Sequence, residues 1–278
     1  MNNFKILLIG TFLFCAVSLN AQEFSEQIAV PLSNPKEPGT LKVNLIKGDI
    51  KISAYKGNEV IINASSGDFS SRDECRGCEK FDQKDKKVNT TGMKKISSNP
   101  IELSASENNN VVQINSNSWS TRINLEVKLP QNFDLEVSAI HGRLEITGVN
   151  GTHEVSSTNG DILITDLGGA LISNTVNGDI IATFSSVAAD QPMSFVTLKG
   201  DLDVTYPASL KATAKMRTER GEIFTDFDMN VDRSRPEVKT EGNEYKVSVN
   251  TWVYGSIAGG GPEYTFKTMQ GDIVLRKK

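Results

Sequence analysis

Apolar and polar residues alternate along most of this chain with a period of two, the pattern of strands that bury one face. A recurring phrase is laid over that alternation: a glycine, usually an acidic residue, then apolar residues at every second position. It reads Gly48-Asp49-Ile50-Lys51-Ile52, Gly142-Arg143-Leu144-Glu145-Ile146 and Gly160-Asp161-Ile162-Leu163-Ile164. It returns at Gly178-Asp179-Ile180, Gly200-Asp201-Leu202-Asp203-Val204, Gly221-Glu222-Ile223 and Gly271-Asp272-Ile273-Val274-Leu275. Between 142 and 178 the glycines at 142, 151, 160, 169 and 178 are evenly spaced. That is a nine-residue spacing, with the strongest copies alternating at eighteen.

The parity of the spacing restricts the architecture. Apolar residues stand two before a glycine (Ile140, Val149, Leu167, Val176, Leu198) and two and four after it (Leu144, Ile146, Ile162, Ile164). These even offsets predict one shared face along an extended strand. An odd period would invert that face in each repeat, so the chain must bend once per nine residues. Turn formers place the bends at Thr147-Gly148, Ser156-Ser157, Thr165-Asp166 and Asn174-Thr175. The fold class is all-β, and two architectures fit. In a β-solenoid of nine-residue half-coils, each eighteen-residue coil holds two short strands that stack in parallel on the next coil. In an antiparallel β-meander or sandwich, Asn159-Gly160 and Asn177-Gly178 would be hairpin turns. A hairpin would point the apolar residues on either side of the glycine to opposite faces, so the pattern favours the solenoid. Residues 41–66 read as two strands and 101–129 as two more. No amphipathic helix is visible after the N-terminal segment.

The N-terminus changes the cellular setting. Lys5 precedes an apolar run from Ile6 to Leu19, followed by Asn20-Ala21-Gln22. This matches a secretory signal peptide over 1–21, cut after Ala21. An uncleaved anchor and a lipid-modified Cys15 are the alternatives. Residues 22–278 then form one β-repeat domain, with a polar Cys- and Lys-rich insertion at 67–100 and a looser insertion at 231–265. No second stretch is apolar enough to span a bilayer. The export signal predicts a periplasmic or surface-associated protein. No long sorting region follows the last phrase, which favours the periplasm. Without Lys5 the chain has 29 basic and 34 acidic residues, a net charge of −5. That balance argues against a dedicated nucleic-acid binder.

Candidate chemistry is sparse. Cys75 and Cys78, in Cys75-Arg76-Gly77-Cys78, are the only cysteines beyond the signal segment, which makes them a disulfide candidate in an oxidising compartment. A redox pair would want a helix N-terminus, and zinc would need two more ligands. Both readings stay open beside the disulfide. The same segment carries Lys80, Lys84, Lys86, Lys87, Lys94 and Lys95, a possible contact for an anionic partner. His141 and His153 read as exposed repeat positions. Stacked Asp161, Asp179, Asp201 and Glu222 would form an acidic ladder, explained either as turn chemistry or as a shared cation site. No motif predicts a catalytic centre, a metal or a cofactor.

The Gly-Asp-Ile array, the Leu129-Pro130 step into it and the ending Gly259-Gly260-Gly261-Pro262-Glu263…Gly271-Asp272-Ile273 resemble a bacterial family of unknown function. Its members are known as β-strand-repeat proteins or "putative adhesins". The resemblance implies an exported β-repeat domain in the cell envelope and brings no catalytic residues. The function expected is non-catalytic envelope binding or scaffolding, with an unknown envelope protein or polysaccharide as partner. A carbohydrate-active enzyme on the same scaffold and an envelope-stress sensor are the alternatives.

Overall fold

The computed structural model describes residues 24–66, 103–116, 118–119, 121–232, 237–241, 244–248 and 252–278. The signal segment, Cys75, Cys78 and the six lysines from Lys80 to Lys95 lie outside the described residues. Every described element is a strand. The first six are β1 (Phe24–Pro31), β2 (Gly39–Lys47), β3 (Ile50–Tyr55), β4 (Glu59–Ser66), β5 (Ser104–Asn108) and β6 (Val111–Ser116). The middle of the chain forms β7 (Ile123–Pro130), β8 (Phe133–His141), β9 (Leu144–Thr147), β10 (Asn150–Asn159), β11 (Ile162–Asn174) and β12 (Ile180–Val187). Next come β13 (Met193–Val196), β14 (Leu202–Tyr206), β15 (Ala212–Arg217), β16 (Ile223–Thr225) and β17 (Met229–Asp232). The last are β18 (Glu237–Glu241), β19 (Glu244–Ser248), β20 (Val253–Ile257), β21 (Glu263–Lys267) and β22 (Ile273–Lys277).

Twenty strands make one hydrogen-bonded sheet, and β18 and β19 form a separate antiparallel pair. The sheet folds into two walls joined at the glycine phrases. One wall holds the strands before each glycine, in spatial order β6, β2, β8, β10, the second half of β11, β13, β21 and β15, all parallel. The other holds the strands after it: β7, β3, β9, the first half of β11, β12, β14, β22 and β16, again parallel. The chain is thus all-β and solenoid-like. His153 pairs with Leu135, and Ile162 with both Leu144 and Ile180, offsets of eighteen residues. Antiparallel strands close the ends: β4 and β1 beyond β7, β5 beyond β6, and β20 and β17 beyond β15.

Chain order and spatial order part company near the C-terminus. β21 and β22 insert between the coil of β13–β14 and that of β15–β16. The stack of glycines therefore runs Gly48, Gly142, Gly160, Gly178, Gly200, Gly271, Gly221. A Cβ on each from Gly142 onward would overlap the carbonyl oxygen of the glycine before it. Four of these, Gly142, Gly178, Gly200 and Gly271, also have φ between 140° and 153°, a region closed to side chains.

The glycine phrase is itself the corner, which corrects the expected face. Val137, Ala139, Leu144 and Ile146 are buried, at offsets of −5, −3, +2 and +4 from Gly142, while Ile140 at −2 is exposed. Val176 and Leu198, at the same −2 position, are exposed as well. The turn at these corner glycines shifts the inward phase by one residue, so even offsets do not cross them, whereas across Gly151 and Gly169 they do: Val149 and His153, and Leu167 and Leu171, are all buried. The bend expected at Ser156-Ser157 is absent, because β10 continues to Asn159, and the one at Asn174-Thr175 falls later, at the Gly178 corner. Bends do occur at Gly148 (φ 74°) and Asp166 (φ 52°). The two flanks expected to hold two strands each hold three: β2, β3 and β4, then β5, β6 and β7. Of the segment 231–265, β20 and β21 belong to the main sheet.

The interior between the walls is filled by stacked side chains of like kind. Leu144, Ile162, Ile180, Leu202 and Ile273 form one buried column. Toward the C-terminal end aromatic rings take over. Phe184 stacks on Tyr206 at 4.9 Å and Phe195 on Phe266 at 5.1 Å between ring centroids. His153 is buried too, contrary to its expected exposure. Its Nε2 donates to the Gly168 carbonyl at 3.3 Å, and its Nδ1 is buried without a partner. Burial holds its pKa below the ordinary value. His141 is exposed.

Candidate binding site

The residue after each corner glycine explains the acidic half of the phrase. Asp161 Oδ1 accepts the amide of Asp179 at 3.0 Å, and Asp179 Oδ1 accepts that of Asp201 at 2.8 Å. Asp201 Oδ1 does the same for Asp272, and Asp272 Oδ1 for Glu222, both at 2.8 Å. At the other end Asn124 Oδ1 serves Asp49, and Asp49 Oδ1 serves Arg143. Each side chain thus caps a corner amide of the next coil, an amide that the parallel ladder leaves over. Arg143 has no acceptor to offer Asp161, and the run of bonds breaks there. The ladder is turn chemistry. Among the described residues no group of three or more metal-ligating side chains has an arrangement that could hold a metal ion.

One column further in, threonines three before the glycine face inward. Thr175, Thr197, Thr268 and Thr218 donate their hydroxyls to the carbonyls of Gly160, Gly178, Gly200 and Gly271. Asn177 donates to the Asn159 side chain at 2.8 Å outside them. These side chains serve the fold.

Free chemistry gathers at the N-terminal end of the post-glycine wall. There β1, β4, β7, β3 and β9 lie side by side and line a cleft of about 720 Å³. Its cross-strand row is Gln27, Asn63, Glu126, Lys51 and Glu145, set by the registers of successive pairs. Asp49, Arg143 and Asn124 form the row nearer the corner. Asp49 is held by Arg122 Nη2 at 3.1 Å, Glu126 faces Lys128 at 3.7 Å and Glu145 faces Arg143 at 3.7 Å. Asn124 is 8% exposed, and its Nδ2 is buried with no acceptor. Since its Oδ1 is occupied by the Asp49 amide, the amide orientation is fixed. The cleft therefore offers alternating acceptors and donors, with one amide donor unmet in its floor. That pattern suits a polar ligand with several hydroxyl or amide groups.

None of the cleft residues was singled out as a site in the sequence. Lys51 and Glu145 occupy the variable positions of the glycine phrase. The neighbours that give them meaning, Glu126 and Asn63, come from strands 75 and 12 residues away from Lys51. No local signal joins them.

Fold and cleft together define a β-solenoid-like protein with a polar surface cleft. The chain belongs to the DUF4097 (Toastrack) family, which matches it over residues 10–276. Among solved structures it is similar to a "putative cell adhesion protein" from Clostridium sporogenes, with 13% identity and a TM-score of 0.47. That match covers 92% of this chain and 100% of the other. It is also similar to a "putative adhesin" from Bacteroides fragilis, with 9% identity and a TM-score of 0.34, covering 93% and 98%. No curated protein matches.

Proposed function

We propose that this protein is an exported, non-catalytic binding protein of the cell envelope, adhesin-like in action, and that the cleft beside Lys51 is its recognition site. The observation that carries the reading is the row Asn63, Glu126, Lys51, Glu145 with Asn124 beneath it. These residues alternate donors and acceptors across strands that the solenoid holds in register. Rigid neighbouring strands preorganise such a row, which limits the ordering cost of binding. The N-terminal signal pattern supports export, and the glycine phrases supply a stiff scaffold of stacked nine-residue half-coils. Cys75 and Cys78 as a disulfide, and the lysines from Lys80 to Lys95 as a second, anion-directed contact, complete the reading.

A polysaccharide of the envelope is the ligand class that best fits the hydroxyl-matching row. The protein, purified after export, is titrated with envelope polysaccharide fractions by calorimetry. Binding that Lys51→Glu or Glu145→Lys weakens at least about tenfold, the loss of one to two charge-assisted bonds, supports the reading. Binding untouched by both changes, or none to any fraction, overturns it. The carbohydrate-cleaving alternative rests on Glu126 and Glu145, which flank Lys51 from neighbouring strands. Both carboxylates are partly exposed and face a base, so neither has the dry surroundings that ready a general acid. Release of new reducing ends in the same titration would favour that reading instead.

A further inference from the structure

The outer face of the pre-glycine wall carries a feature that neither folding nor the cleft uses. Ile140, Val176, Leu198 and Met269 hold the −2 position on four coils, with Thr158 on the rung between Ile140 and Val176. Ile172 stands on the same face of the Val176 strand. These five aliphatic side chains are 37–47% exposed. At the rung spacing of a parallel sheet the row runs about 19 Å. Thr158 interrupts the row, and its unbroken stretch is Val176, Leu198 and Met269; water contact along such a stretch is unfavourable, and exposed apolar rows mark contact surfaces.

Cations and indole chemistry border the row at its C-terminal end. Lys199, Lys267 and Arg220 have no ion-pair partner among the described residues, although the whole chain has a net charge of −4. Lys215 and Arg217 lie 5.0 Å and 5.8 Å from the ring centre of Trp252, and Lys215 also approaches Tyr254. Glu263 and Glu219 balance Lys215 and Arg217, which leaves Lys267 as the unpaired charge on this half of the face, with Lys199 and Arg220 at the corner, two residues before Asp201 and Glu222. The acids of the same wall, Asp134, Glu136 and Glu154, stand on β8 and β10, with Glu154 across from Ile172, so the face is acidic at its Ile140 end and apolar from Val176 onward. Aliphatic side chains, a Trp and a Tyr, and cations on one side of a sheet are what an interfacial bilayer contact uses.

We propose that this face, centred on Val176, Leu198 and Met269, rests on an anionic lipid surface, with Lys199, Lys267 and Arg220 meeting phosphate headgroups. The protein would lie on the membrane without crossing it. The proposal is independent of the cleft. The test is cosedimentation of the exported protein with vesicles of phosphatidylglycerol and phosphatidylethanolamine, and with vesicles of phosphatidylcholine alone. The expected result is binding to the anionic vesicles only, weakened by salt. Leu198→Glu lowers it about tenfold, and Lys267→Glu at least about fivefold, the worth of one cation near such a surface. Both side chains are exposed, so the urea midpoint should stay put and show that the fold is intact. Lys51→Glu, in the cleft, leaves vesicle binding unchanged. Equal binding by Leu198→Glu and the parent, or no binding to any vesicle, overturns the proposal. So does sedimentation velocity showing a dimer that Leu198→Glu dissolves, which would assign the face to a second copy.

Discussion

Asp179 sits in the middle of the corner ladder and separates two effects that one carboxylate combines. Its Oδ1 accepts the Asp201 amide at 2.8 Å, while its own amide donates to Asp161 at 3.0 Å. In Asp179→Ala the Asp201 amide loses its acceptor. A charge-assisted bond is worth roughly 1.5–3 kcal/mol, but the corner is exposed and water can replace part of it, leaving a net loss of about 1–2 kcal/mol. Charge acts in the other direction. Carboxylates on adjacent coils lie about 4.8 Å apart at the rung spacing, and two full charges at that distance in water repel by about 0.9 kcal/mol before screening. Asp179→Asn keeps the acceptor and removes that repulsion toward two neighbours. It should therefore be neutral or stabilising by up to about 1 kcal/mol at low salt, a gain that fades as salt is added. Asn124 already fills this role for the Asp49 amide at the first rung. Urea unfolding of the parent and both variants, at low and high salt with constant m-values, measures the three stabilities. If Asn destabilises as much as Ala, or if Ala costs nothing, the carboxylates do not act as amide caps and the reasoning fails.

Two further expectations follow from the interior. Gly200→Ala places a Cβ against the Gly178 carbonyl at a φ of 143°, so it should cost at least about 2 kcal/mol, read as a lower urea midpoint. A loss below about 0.5 kcal/mol would show that the coils can separate to admit a methyl group. His153 has a pKa lowered by burial from an ordinary 6.5, so the unfolded chain binds its proton more readily than the folded one. The stability it leaves intact is fully present above pH 6.5 and is lost as pH falls from there toward the lowered folded value. His153→Gln should flatten the decline in unfolding free energy between pH 7 and pH 5, and an unchanged slope would assign that decline to other groups.

Part of this molecule is written locally and part is not. The period-two alternation determined the strands, because a half-buried strand needs it whatever its partners are. The glycine at each corner is also local in origin: Gly142, Gly178, Gly200 and Gly271 adopt φ values that only glycine takes without strain. Parallel stacking could be argued from the eighteen-residue recurrence, since Ile162 finds Leu144 and Ile180 at equal offsets. The phase of burial across the glycine was not legible. It depends on the corner's dihedral angles, which turned Ile140, Val176 and Leu198 outward. The placement of β21 and β22 between two earlier coils was decided by the sheet, where each strand needs a hydrogen-bonded neighbour on either side. The cleft belongs wholly to the tertiary structure. Asn63, Glu126, Lys51 and Glu145 are unremarkable along the chain and become a site only because antiparallel β4 is laid against β7, and β7 in parallel beside β3. Local alternation encodes which side chains face out, whereas the neighbours they meet depend on strand order, which only the folded sheet determines.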